Sequence, residues 1–181
     1  MPMRYTVNFF KGFTFLWVFF LMWAFHNRSM VMWLYLCLHG SYGICWVVKD
    51  LVFPDGRGKI MGSLGSHLVL VVLLMGYWCI PVPLAMRYGL VNPSRGRMVS
   101  IVCMYLVGLL LMMGSDYQKY RILRVGRGMI SNGFFVRCRN PNYLGEFLIY
   151  TSFCLLSGHV LGFLIFYGLG GILFVLNIYL K

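Results

Sequence analysis

Acidic side chains are nearly absent from this chain of 181 residues. Asp and Glu together number 4, against 16 Lys and Arg, so the formal net charge is +12. The sequence has a single Gln, Gln118, and a single Glu, Glu146. Outside the segment that holds these two residues, only Asp50, Asp55 and 4 histidines could serve in proton transfer. Most of the chain therefore lacks groups for acid–base chemistry.

A metal-ligand pattern is missing as well. The 6 cysteines form no C-x-x-C pair and lie beside no His cluster, so the sequence predicts neither a zinc site nor a disulfide framework. We interpret these cysteines as small buried apolar residues. They are Cys37, Cys45, Cys79, Cys103, Cys138 and Cys154.

Ala and Thr are rare. Ala occurs only at Ala24 and Ala85, and Thr only at Thr6, Thr14 and Thr151, although Ala is the best helix former. The abundant residues, such as Phe, Gly, Val and Leu, share codons rich in T and G. A strand-biased organellar gene would produce this skew, so we hypothesise a mitochondrially encoded protein. A nuclear gene of unusual base composition is the alternative.

What is present is mostly apolar. Hydrophobic residues make up 60% of the chain, aromatic residues 18% and charged residues 11%, and the mean hydropathy is +0.78. These values lie outside the range of soluble domains and predict an all-α polytopic membrane protein in the lipid bilayer. The basic residues sit singly or in small groups between apolar runs, which fits loops facing anionic head groups and an internal anionic ligand. This distribution argues against nucleic-acid binding.

The apolar runs predict five to six membrane helices, since a span needs about 20 residues. A final hairpin, turned by Ser157 and Gly158, joins Glu146–Leu156 to His159–Leu180. Without a repeat or linker, 1–181 is one transmembrane domain, with N-terminal spans in 1–48, middle spans in 49–115, and a cofactor-site-like segment plus the hairpin in 116–181. The first four predicted spans are Phe9–Phe25, Met30–Val48, Ser63–Met86 and Met98–Gly114.

The distribution of Lys and Arg predicts the orientation of these spans. The N-terminus, the Lys49–Lys59 loop and the Arg-rich segment fall on one side, which is the cytosolic or matrix side. Arg4 and Lys11 precede the apolar residues Phe13–Phe25, and no cleavage site follows, so we predict a retained first span. The rule does not explain the cations on the opposite side, which are Arg87, Arg95 and Arg97.

The second span contains the motif H-G-S-Y-G, from His39 to Gly43. Polar groups inside a membrane must find partners, so we interpret the motif as interhelical hydrogen bonds beside glycines that allow close approach. A catalytic role is the alternative. Lys49 and Asp50 end this span, and we interpret them as a neutralised anchor rather than a proton relay.

The polar residues gather between Asp116 and Glu146. Asp116, Lys119 and Tyr120 share one helical face, and Pro141 predicts a helix that begins there with Asn140 as its cap. A helix N-terminus beside arginines attracts anions, phosphate above all. The candidate binding residues are Asp116, Gln118, Lys119, Arg121, Arg137, Arg139, Asn142, Tyr143 and Glu146. The sequence assigns no catalytic residue.

Two interpretations of this segment remain open on residue chemistry. In the first, Tyr143 stacks on a base or donates a hydrogen bond and Glu146 accepts from a ribose. In the second, Glu146 neutralises Arg139 or Arg121, and the segment is a staple at the membrane surface.

The motifs D-Y-Q-K and R-N-P-N-Y-L-G-E-F-L-I-Y resemble the C-terminal signature of the steroid 5-alpha-reductase-like proteins, including the DUF1295 branch. Related groups are the sterol reductases and the isoprenylcysteine carboxyl methyltransferases. The earlier L-H-G-S-Y-G-I-C-W-V-V-K-D-L-V-F-P-D, Leu38–Asp55, resembles the same branch, so the similarity spans most of Leu38–Lys181.

The resemblance implies a helical membrane fold whose C-terminal half encloses NADPH in the reductases or S-adenosylmethionine in the methyltransferases. It implies a hydride passed to a conjugated double bond of a lipid, with a tyrosine-type acid. Asn140 stands where many relatives have His, which removes a titratable group. The matching residues that would line the cofactor are Asp116, Gln118, Lys119, Arg121, Arg139, Asn142, Tyr143 and Glu146.

Three functions follow as hypotheses. Relatives usually continue into a polar tail that closes over the cofactor, and this chain stops at Lys181. The first hypothesis is therefore a non-catalytic or residually nucleotide- or lipid-binding subunit of a mitochondrial inner-membrane (respiratory) complex. The second is an active NADPH-dependent lipid or sterol reductase of the endoplasmic reticulum or mitochondrion, whose tail comes from a separate chain. The third is a membrane methyltransferase.

Overall fold

A computed structural model describes residues 2–54, 62–86, 93–126 and 128–171. These residues are almost entirely helical, which confirms the all-α prediction. In chain order the helices are α1 Met3–Ala24, α2 Met30–Val52, α3 Leu64–Cys79, α4 Val82–Met86, α5 Arg95–Val125, a 3-10 turn Gly133–Phe135, α6 Pro141–Ser157 and α7 Val160–Phe163, which continues as a π-helical segment Leu164–Gly170.

Within the described residues, four stretches are long and apolar enough to cross a membrane: Met3–Ala24, Met30–Val52, Leu64–Met86 and Arg95–Val125. They contain the four predicted spans except for the end residues Phe25 and Ser63. Large apolar side chains remain on the outside of these helices, among them Trp23, which is 65% exposed, and Leu51, which is 75% exposed. Such a surface is stable in hydrocarbon and costly in water. The chain is an integral membrane protein.

The fourth span is longer than predicted. Helix α5 does not end at Gly114 but continues through the polar residues to Val125, and Gly126 caps it. Gln, Lys, Arg and Leu are good helix formers, and no proline interrupts them before Gly126. The start of the predicted cofactor segment is therefore an extension of the membrane helix.

The C-terminal hairpin is confirmed in the described residues. Helix α6 begins at Pro141, as predicted, and ends at Ser157, where Gly158 takes the left-handed conformation with φ +63°. This conformation suits glycine at a helix end. Asn140 occupies the N-cap position, but its side chain makes no capping hydrogen bond, so the predicted role of that side chain is wrong. The predicted second arm beyond Gly171 lies outside the described residues.

Two antiparallel helix pairs form the core, α1 with α2 and α5 with α6. Glycines bring their backbones together. A Cβ atom added to Gly145 would lie 2.5 Å from the carbonyl oxygen of Gly108, and one added to Gly43 would overlap the carbonyl of Lys11. Such close approach is typical of membrane helix pairs. It holds the polar residues of α1, α2 and α6 within reach of one another.

One end of the bundle, the polar end, collects the start of α1, the end of α2, the start of α3 and the turn between α5 and α6. Asn8 Nδ2 donates to Asp50 Oδ2 at 2.7 Å, and Lys49 forms an ion pair with Asp116. The predicted grouping is confirmed for the described parts of these segments, whereas Asp55–Lys59 of the predicted loop and Arg87 lie outside the described residues. Arg95 and Arg97 begin α5 at the opposite end.

The positions of the cysteines agree only in part with the expectation that all of them are buried. All 6 are free thiols, and Cys154 is buried, but Cys37, Cys79 and Cys103 are exposed on the outer faces of the helices. A thiol behaves as a small hydrophobe, and the outer face of a membrane helix meets lipid. An exposed cysteine on these helices therefore lies in an apolar environment, and burial inside the protein was the wrong expectation.

Candidate functional site

A cleft opens at the polar end between the end of α2 and the C-terminal part of α5. Its volume is about 240 Å³. Three cations and one carboxylate contribute to its walls, so it attracts anions. The lining residues are Lys49, Phe53, Pro54, Asp116, Lys119, Tyr120, Leu123 and Arg124.

An ion pair forms the inner wall of this cleft. The side chains of Lys49 and Asp116 are 8% and 10% exposed and are in direct contact. The Lys49 ammonium also lies 4.2 Å from the centroid of the Trp46 ring, a favourable cation–π contact. The predicted pairing of Lys49 with Asp50 is wrong, because Lys49 pairs with Asp116 and Asp50 accepts a hydrogen bond from Asn8. Lys119 and Arg124 are the other two cations of the cleft wall.

Gln118 has a structural role that the sequence did not indicate. Its Nε2 donates at 2.9 Å to both the backbone and the side-chain oxygen of Asn132, and its Oε1 accepts from the Phe134 amide at 3.0 Å. Gly133 has φ +56°, and a Cβ there would lie 2.6 Å from Gln118 Oε1. Gln118 therefore fixes the loop that leads into α6.

The remaining predicted residues do not gather around the cleft. Of the nine, only Asp116 and Lys119 line it. Asn142 and Tyr143 are half-buried in the first turn of α6. Three arginines of the predicted site are exposed. They are Arg121, Arg137 and Arg139. Cofactor binding by the nine residues stays a prediction.

A second polar centre lies inside the bundle, around Lys11. This side chain is only 4% exposed. Its ammonium donates to the hydroxyl of Tyr42 at 2.6 Å and to that of Tyr150 at 3.0 Å, and it lies 3.4 Å from the centroid of the Trp46 ring. The two phenol oxygens are 3.0 Å apart. Helices α1, α2 and α6 thus each contribute to one buried cluster.

Glu146 connects this cluster with the cleft. It lies one turn before Tyr150 on α6, and its charged neighbours are Lys11, Lys49 and Asp116. Among the described residues Glu146 forms no ion pair with Arg139 or Arg121, and the charges that act on it are those of Lys11, Lys49 and Asp116. We call Lys11, Lys49, Asp116 and Glu146 the charged quartet. It combines two basic and two acidic side chains, an arrangement that reduces the cost of burying charge.

The H-G-S-Y-G motif largely matches its interpretation. Ser41 shares a hydrogen bond of 2.8 Å with Tyr105, and a Cβ added to Gly40 would lie 2.7 Å from the Phe15 ring. His39 is the exception. It is fully buried among aromatic rings, and neither ring nitrogen has a hydrogen-bond partner among the described residues. The expectation that every polar group of the motif pairs across helices is wrong for His39.

Sequence reasoning missed Lys11 because a lysine near an N-terminus reads as a membrane-surface anchor. A signal was nevertheless present. Lys11 lies three residues before Thr14 and seven before Val18, spacings that place all three on one helical face. All three are buried. A lysine on the same helical face as a small polar residue and an apolar residue is expected to be buried in the bundle and not to lie at the membrane surface.

Comparisons with known proteins add a family and no activity. The described residues hold no group of three or more His, Cys, Asp or Glu side chains that could bind a metal ion. No curated protein matches the chain. No solved structure matches it either. Residues 14–181 match the family model DUF1295, described as a protein of unknown function, and the chain therefore belongs to the DUF1295 family.

Proposed function

We propose that the protein is a non-catalytic subunit of a larger membrane assembly and that its cleft holds the phosphate of a lipid or nucleotide. The cleft lies at the polar end, where lipid head groups and soluble nucleotides both reach it. Lys119 and Arg124 give it positive charge, and Tyr120 and Phe53 give it apolar walls. Basic pockets of this kind bind phosphate groups of lipids.

This proposal rests on one observation: the predicted cofactor residues lie in two different environments. Arg137 and Arg139 are exposed, while Asp116 and Lys119 line the cleft. The cleft volume of about 240 Å³ is below the roughly 300–1,000 Å³ of sites that enclose organic ligands. This volume favours one phosphate group with its immediate neighbours over a whole dinucleotide such as NADPH.

We infer the assembly and its location from the amino-acid composition. Ala at two positions and Thr at three favour an organellar gene, and the mitochondrial inner membrane is the site we propose. Partner subunits of a respiratory complex would then surround the chain.

Purification of the native protein from membranes tests this proposal. We expect stable comigration with respiratory subunits on a native gel and no oxidation of NADPH by the isolated assembly. A single free species that oxidises NADPH when given an enone lipid would overturn the subunit assignment. Mapping the transcript to its genome tests the location separately.

Binding measurements test the cleft and distinguish the two phosphate sources. Nanodiscs containing phosphatidic acid, compared with phosphatidylcholine alone, report lipid binding, and ATP titration reports nucleotide binding. We expect Lys119→Gln to weaken one of these several-fold. Arg95→Gln, which removes an exposed cation at the opposite end, is the matched control. Equal effects of both substitutions would contradict a specific cleft.

A second candidate function is an NADPH-dependent lipid reductase, favoured by the buried Lys11 cluster. An ionisable residue inside a membrane protein marks function more often than packing. Two phenols beside an ammonium could supply a proton. Oxidation of NADPH that depends on an added enone lipid is the test of this candidate.

A further inference from the structure

The end of the bundle opposite the cleft, the arginine end, carries no carboxylate in the described part of the chain. It collects the turn between α1 and α2, helix α4, the start of α5 and the end of α6. Asn27 Nδ2 donates to the carbonyl oxygens of Leu84 and Ala85 at 3.0 and 3.2 Å, and Ser157 Oγ donates to that of Ile80 at 3.1 Å. These buried hydrogen bonds hold the segments together, so the arginines that they carry share one end surface.

Three exposed arginines lie at this end. Arg28 belongs to the turn after α1, and Arg95 and Arg97 belong to the first turn of α5. None of the three forms an ion pair within the described residues. Arg97 Nη2 donates at 3.4 Å to the carbonyl of Leu155, which orients its guanidinium. A guanidinium has five N–H donors, so the remaining donors of Arg97 are left for a partner outside the chain.

Two general rules disfavour arginines at these positions. Membrane proteins carry their excess of Lys and Arg on the cytosolic side, and the arginine end lies opposite the side that we predict to face the cytosol or matrix. A helix N-terminus has a partial positive charge, which repels cations, and the first turn of α5 holds Arg95 and Arg97 and no acidic residue. Departures from such local rules are expected at functional sites. We therefore look for an external anion that compensates this charge.

The residue types favour carboxylates of a protein over phosphates of a lipid. The exposed cations described at this end are arginines, whereas the described lysines lie towards the polar end. A guanidinium binds a carboxylate through two parallel hydrogen bonds, and anionic lipids concentrate in the cytoplasmic leaflet, on the other side. Large apolar side chains are exposed beside the arginines, namely Trp23, Met30 and Val99. Aromatic residues, Met and Arg are the types enriched at protein interfaces.

We propose that the arginine end is the docking surface for an acidic segment of a neighbouring membrane subunit, in which Asp or Glu side chains directly follow a membrane helix. Arg28, Arg95 and Arg97 pair with these carboxylates, and Trp23 and Met30 contact the apolar helix of the partner. The inference rests on the proposed subunit function and names the chemistry of the partner. It places that partner at the end away from the cleft, which stays accessible to its own ligand.

Reassembly with a recombinant chain tests this surface. The native chain is removed from the purified assembly, a recombinant chain is added back, and its association with the other subunits is titrated on a native gel. The test variant combines Arg28→Gln, Arg95→Gln and Arg97→Gln, and we expect roughly tenfold weaker association, since arginines are frequent interface hot spots. The matched control combines Arg121→Gln, Arg137→Gln and Arg139→Gln, which removes the same charge from exposed positions at the polar end, and its association should be unchanged.

Arginine modification by phenylglyoxal distinguishes a protein partner from a lipid and needs no substitution. We expect Arg28, Arg95 and Arg97 to react several-fold more slowly in the native assembly than in the isolated chain in phosphatidylcholine nanodiscs. Equal protection of the isolated chain by phosphatidic acid nanodiscs would assign the surface to lipid phosphates and overturn the proposal.

The other outcomes of the reassembly separate this inference from the function on which it rests. Equal association of the two triple variants would overturn the docking surface alone. Failure of the unmodified chain to associate with any subunit would overturn the subunit function and the docking surface together. A thermal unfolding curve for each variant identifies any that fails to fold, and the modification experiment on the native assembly then decides.

Discussion

The buried charges of the polar end and the exposed charges of the 137–139 segment are close in sequence and opposite in environment. Asp116 forms an ion pair with Lys49, and the charges that act on Glu146 are those of Lys11, Lys49 and Asp116. Arg137 and Arg139 face outward. Buried charges depend on their partners for stability, whereas exposed charges are solvated and screened. The segment from Arg137 to Glu146 therefore serves two purposes. Glu146 is directed into the bundle, whereas Arg137 and Arg139 are directed outward.

Loss of the Lys11 charge should have the largest effect. Lys11→Met leaves Glu146 with one lysine fewer and removes two hydrogen bonds to phenols. Breaking a buried charge pair costs about 3–5 kcal/mol. We expect a comparable loss in the free energy of unfolding, measured by thermal denaturation in detergent. Arg139→Met, an exposed cation exchanged for the same residue, is the matched control.

A double variant separates charge from packing in this experiment. Lys11→Met with Glu146→Gln removes one positive and one negative charge together, so the quartet stays neutral. We expect the double variant to be less destabilised than the sum of the two single variants, because their effects are coupled. Strict additivity would show that Lys11 and Glu146 do not interact.

Asp116→Asn should have a smaller effect on stability and a measurable effect on binding. The Asp116 side chain is 10% exposed and borders the cleft, so water and ligands can compensate Lys49 in part. We expect a loss of about 1–3 kcal/mol, the range for a buried polar group left unsatisfied. The cleft gains one net positive charge, so its affinity for phosphatidic acid should rise. An unchanged or weaker affinity would contradict the assignment of the cleft as an anion site.

The sequence predicted much of the fold and less of the site, for physical reasons that differ. Apolar runs and the Pro141 and Gly158 signals are local, so the spans and the hairpin turn could be read directly. The partner of Lys49 could not, because Asp50 is adjacent in sequence and Asp116 is adjacent only after α2 packs near α5. Lys11 was missed for the same reason, since its partners come from α2 and α6.

Gln118→Ala tests the loop that leads from α5 into α6. Its hydrogen bonds to Asn132 and Phe134 are partly exposed, so water replaces them in part. We expect a loss of about 1 kcal/mol in the free energy of unfolding, together with faster proteolysis of the loop. Tyr117→Ala on the neighbouring exposed position is a control. A loop equally protected in both variants would show that Gln118 does not hold it.

Arg139→Ala should have the smallest effect on stability, within about 0.5 kcal/mol, because exposed substitutions rarely exceed this. The effect of Arg139→Ala on nucleotide binding decides between two interpretations of the R-N-P-N-Y-L-G-E motif. The resemblance predicts that Arg139→Ala and Tyr143→Ala abolish nucleotide binding. The position of the cleft predicts that Lys119→Gln weakens phosphate binding and Arg139→Ala does not. Titration of all three variants with NADPH and with ATP therefore shows whether the motif still forms a cofactor site or only positions Glu146 against the lysines.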